Sequence, residues 1–131
     1  RVVGPNLATA GSDWPHAMSD SVLAVKTLQP GQGVLALNPL TGHFMWKRKL
    51  ANVQRLALAN GLVFALTYNL GEPVHLVVLN AKTGSIIGGK VITLPLNYYA
   101  FNAENQLIVA DGMVFLRLIG PSGPEVVALS P

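Results

Sequence analysis

With 131 residues, the chain falls in the size range of one domain, yet only 11% of it is charged, against roughly 25% in ordinary soluble domains, while 50% is hydrophobic. So little polar surface implies apolar faces that meet other protein. A net charge of +3, with Lys47-Arg48-Lys49 as its one basic run, excludes the broad basic stripe of a nucleic-acid binder, and the absence of cysteine excludes disulfides and thiolate metal sites. No apolar run reaches the about 18 to 20 residues that would span a bilayer as a helix, and residues 1 to 15 lack the basic start and apolar segment of an export signal, which for an exported protein implies prior removal.

The first stretch, "RVVGPNLATAGSDWP", has no strand periodicity and is expected to form an extended arm over residues 1 to 18, with Trp14 as a possible contact residue. From there on, short runs of Val, Leu, Ile and Phe bounded by Gly, Pro, Asn and Asp predict strands and no helix. They are expected at Ser21–Leu28, Gly33–Asn38, His43–Leu50, Arg55–Ala59, Leu62–Tyr68, His75–Asn80, Ser85–Thr93, Gln106–Ala110, Met113–Ile119 and Glu125–Leu129. Gly/Pro-rich loops are expected at 29–32, 69–73 and 120–124.

The strands repeat. "LALANGLVFAL" returns 51 residues later as "LIVADGMVFLR", so Asn60-Gly61 and Asp111-Gly112 both predict tight hairpin turns, with Ser19-Asp20-Ser21 as a degraded earlier copy. "ALNPLTGHFMW" returns 42 residues later as "VLNAKTGSIIG". Each unit is therefore strand, turn, strand, loop, strand, Thr-Gly turn, strand, which is the make-up of a four-stranded antiparallel β-propeller blade. The expected organisation is an arm (1–18), a first blade (19–50), a second (51–93), a linker (94–104) and a partial third (105–131). The third stops where a Thr-Gly turn and outer strand are due. Propellers close with roughly four to eight blades, so the fold class is an all-β, incomplete ring.

Ala36, Asn38, Thr41, Gly42 and Trp46 resemble the repeat of the pyrroloquinoline-quinone-like, quinoprotein-type propellers, Ala-x-Asp/Asn-x-x-Thr-Gly-x-x-x-Trp; Asn80, Thr83 and Gly84 match again, with Val78 for the Ala and Gly88 for the Trp. The resemblance covers most of residues 19 to 131. It implies a structural motif: the glycines take the left-handed turn position, the threonines bond to the turn, and Trp46 docks between neighbouring blades. With Gly88 in place of the second Trp, Ile86 and Ile87 are expected to substitute in part.

The chemistry of a quinoprotein dehydrogenase is not evident. Asp13, Asp20, Glu72, Glu104, Asp111 and Glu125 are scattered, and Asp111 is accounted for by its turn; His16, His43 and His75 lack the spacing of a metal site. No serine has a nucleophile elbow, and the prolines of "GPSGP" around Ser122 exclude a phosphate cradle. No catalytic, cofactor or metal residue is assigned. Tyr98 and Tyr99, in "NYYAFN", are either a contact surface or packing between blades. The expected function is a non-enzymatic scaffold or protein-interaction module outside the cytoplasm (periplasmic, cell-surface or secreted), with a protein partner or self-assembly completing the propeller. The alternative is a fragment of a quinone-dependent oxidoreductase that uses pyrroloquinoline quinone with calcium.

Overall fold

The computed structural model describes residues 16–28, 31–68, 73–92, 106–110, 112–120 and 123–129. Trp14, Asp13, Glu72, Tyr98, Tyr99, Glu104, Asp111, Ser122, the arm up to residue 15 and the 94–104 linker lie outside them. Among the described residues all regular structure is β.

The first sheet contains β1 (His16–Met18), β2 (Leu23–Thr27), β3 (Gly33–Leu37) and β4 (Phe44–Lys49), in that spatial order and antiparallel throughout. The second contains β5 (Val53–Ala59), β6 (Leu62–Thr67), β7 (Val74–Asn80) and β8 (Ile86–Ile92), again in chain order. A third sheet pairs β9 (Gln106–Ala110) with β10 (Met113–Gly120), and β10 with β11 (Gly123–Leu129). The opening strands β1, β5 and β9 of successive sheets are neighbours.

Several strand ends shift by one or two residues, β5 opening at Val53 in place of Arg55, and two further expectations change. His16–Met18, placed in the arm, is a strand registered against Leu23–Val25. Three residues between Pro15 and a Ser-Asp-Ser turn carry too little periodicity to announce a strand. The loop expected over 120–124 is also shorter, because Gly120 is already registered with Gly123.

The sheets are stacked, and two apolar cores lie between them. Val22, Ala24, Val34, Ala36 and Trp46 of the first sheet pack on Val53, Leu56, Val63, Ala65, Leu79 and Ala81 of the second. From the other face of the second sheet, Phe64, Leu66, Val74, Leu76 and Ile92 pack on Val114 and Leu116 of the third. This explains the unbroken apolar run in β6: Val63 and Ala65 serve one core, Phe64 and Leu66 the other, and all four are buried. Each large apolar side chain so buried contributes on the order of 1.5–3 kcal/mol.

Candidate functional site

The two Thr-Gly turns are built alike. Asn38 Oδ1 accepts from the N–H of Leu40 (2.9 Å) and Thr41 (3.3 Å), while Asn80 Oδ1 accepts from Lys82 (2.8 Å) and Thr83 (3.1 Å). The N–H of Gly42 closes onto the Asn38 carbonyl at 2.7 Å, and that of Gly84 onto Asn80 at 2.8 Å. Thr41 and Thr83 each accept from the backbone two residues on, at His43 and Ser85. Such a five-residue closure needs a left-handed residue at its end, and Gly42 and Gly84 have φ of 74° and 76°. Asn supplies the side-chain acceptor that starts the turn.

Trp46 joins the second of these turns to the first sheet. Its indole N–H donates to the Ala81 carbonyl at 2.7 Å in a buried setting, and its ring lies so close over Gly84 that a β-carbon there would stand 2.6 Å from the ring. Ala81 also donates its own N–H to the Gly61 carbonyl at 2.9 Å, which ties the Thr-Gly turn to the Asn60-Gly61 turn of the same sheet. Asn60 and Gly61 both have positive φ, 52° and 75°, as a two-residue hairpin turn of the primed type requires. Gly112, at the corresponding turn of the third sheet, has φ of 75°.

Arg48 belongs to the same fastening. Residues two apart on a strand share a face, so Arg48 follows Trp46 toward the second sheet, where its Nε donates to the Gly84 carbonyl at 2.8 Å. The basic run thus has one half-buried member with a structural partner between two exposed lysines. That alternation with Trp46 is the sequence signal that would have singled it out. Lys26 faces the same way; burial, and secondarily the Arg55 guanidinium, hold its ammonium below the ordinary lysine value.

At Gly88, the position equivalent to Trp46, the expected substitution by isoleucines does not occur: Ile86 and Ile87 are each 54% exposed. Both sit on β8, whose first six residues are exposed, and Ile87 borders the neighbouring cavity. A cavity of about 290 Å³ remains between the second and third sheets, lined by Leu62, Phe64, Leu76, Val78, Gly88 and Lys90 among others. A second, more open cleft of about 370 Å³ lies between the Ser19–Ser21 turn and the Asn60–Gly61 turn.

The remaining candidates are dispersed. His16 lies on β1, His43 just ahead of β4 and His75 on β7, and all three are exposed. Asp20 sits in the β1–β2 turn and Glu125 on β11. Among the described residues no three His, Asp or Glu converge as a metal site would need. No helix among them is long and apolar enough to cross a membrane. No protein-family model matches the chain, and no curated protein matches it.

Proposed function

We propose that this chain is a non-enzymatic scaffold of quinoprotein-like propeller repeats that binds protein, a partner or further copies of itself, along its unsatisfied sheet surfaces in an extracytoplasmic setting. The observation that carries this reading is the exposed apolar side of the outer elements. Leu40 (85%), Phe44 (64%), Ile86 (54%) and Val91 (53%) lie on the outer turn or outer strands of two successive sheets. Val126, 66% exposed, adds to them from β11, which pairs only with β10 among the described residues.

Exposed strand edges with apolar side chains are templates for pairing, and proteins that keep them generally cover them. Backbone pairing supplies affinity there, and alternate side chains supply selectivity. The test is the mass of the chain in solution by size-exclusion with light scattering, with and without Phe44→Lys and Val126→Lys. Association that these variants abolish supports the reading. A strict monomer that instead binds pyrroloquinoline quinone with calcium, saturably and with a shifted quinone spectrum, overturns it.

A further inference from the structure

The cavity at Gly88 has a counterpart one sheet earlier, and the counterpart is filled. Across the first sheet the register aligns Ala24, Ala36 and Trp46 in one row; across the second it aligns Phe64, Val78 and Gly88. A register shift follows each row at the same place, between Ala36 and Leu37 and between Val78 and Leu79. The rows are thus equivalent in backbone geometry and opposite in content. In the first, two small residues make room for an indole; in the second, Phe64 and Val78 take part of the room and the indole position is void. A β-carbon built at Gly88 meets no atom within 4 Å, whereas Gly84, under Trp46, is closed off.

The neighbouring row is equally informative. Lys26, Val34 and Arg48 align in the first sheet, and Leu66, Leu76 and Lys90 in the second. Where Arg48 is engaged by the Gly84 carbonyl, Lys90 is exposed and lines the wall of a largely apolar slot. Apolar cavities of about 150 Å³ stay dry and take up benzene, so a slot of about 290 Å³ has room for two fused rings. Phe64 offers a ring for edge or offset stacking, and Leu62, Val78 and Val109 offer aliphatic walls.

We propose that this slot binds a small planar aromatic carboxylate, its ring system occupying the void opposite Gly88 and its carboxylate meeting Lys90. Lys90 is the one cation among the described lining residues, which disfavours nucleotides and other polyanions. An uncharged ring of the same size fits the void but forgoes the ion pair.

The probe is indole-3-acetate, with neutral indole as comparator, titrated into the full chain under conditions where its mass in solution does not change, and followed by methyl and amide NMR. Saturable shifts are expected at the Leu62, Val78 and Val109 methyls and at the Lys90 amide. Gly88→Trp, which places an indole in the slot covalently, is expected to weaken indole-3-acetate at least tenfold and to raise the melting temperature. Lys90→Gln is expected to weaken indole-3-acetate by about twofold to fivefold and to leave indole unchanged, as an exposed ion pair implies. If Gly88→Trp does not fold, the two ligands on Lys90→Gln decide the matter. Shifts that fail to saturate, that cluster away from these methyls, or that persist unchanged in a folded Gly88→Trp chain overturn the proposal.

Discussion

At Gly84 two demands meet on one residue. The turn needs φ of 76°, which costs an L-residue about 1–2 kcal/mol, and the ring of Trp46 occupies the space a side chain would take. Gly84→Ala is therefore expected to lose more than the conformational cost alone. Trp46→Ala, which removes a large buried side chain and leaves the Ala81 carbonyl without its indole donor, should lose about 3–5 kcal/mol in denaturant unfolding. In a double-mutant cycle the Gly84→Ala penalty should shrink to the conformational term once Trp46 is gone, and strictly additive losses would refute the contact as the cause. Lys26 gives a pH signature. Its folded pKa lies below the ordinary 10.5, so the folded chain holds this proton less tightly than the unfolded chain. The group thus subtracts stability below its folded pKa, and the deficit is relieved as pH rises toward 10.5. Wild type should gain stability relative to Lys26→Met over that climb; a difference that is flat with pH would count against a half-buried, partly desolvated ammonium.

At the scale of elements, the Thr-Gly turns hold because one asparagine organises each of them. Asn80→Ala should cost about 1 kcal/mol by freeing the Lys82 and Thr83 amides, and Asn80→Asp, which keeps the acceptor, should be near neutral. Equal losses for both variants would show that the side-chain acceptor is not what matters. These turns were legible in the sequence because Asn, Thr and Gly act through local bonds, and the strands were legible because their apolar runs are bounded by such turns. What lay outside local chemistry was not legible. His16–Met18 is a strand only because β2 offers it an edge. Arg48 is a fastener only because the second sheet brings the Gly84 carbonyl to it. Ile86 and Ile87 are exposed on β8, and the void at Gly88 exists only in the stacking of two sheets.

Across the whole molecule, the second sheet is the best protected, since it alone among the described sheets carries a core on each face. Amide exchange should accordingly be slowest in β6, which also has a strand on either side, and faster in β8 and β11. Exchange that is slowest in the third sheet would contradict this order. The Trp46 contact also gives the stack a direction. The first sheet reaches forward to grip the glycine turn of the second, and the second, with Gly88, extends no such grip to the third. Order along the chain is thus written into single side chains, as a key cut for the next lock. An array made by reiterating residues 16–50 would inherit a pin and a socket in every copy, whereas one made by reiterating 51–92 would inherit sockets alone, so the first unit is the module from which longer stacks of this kind can be built.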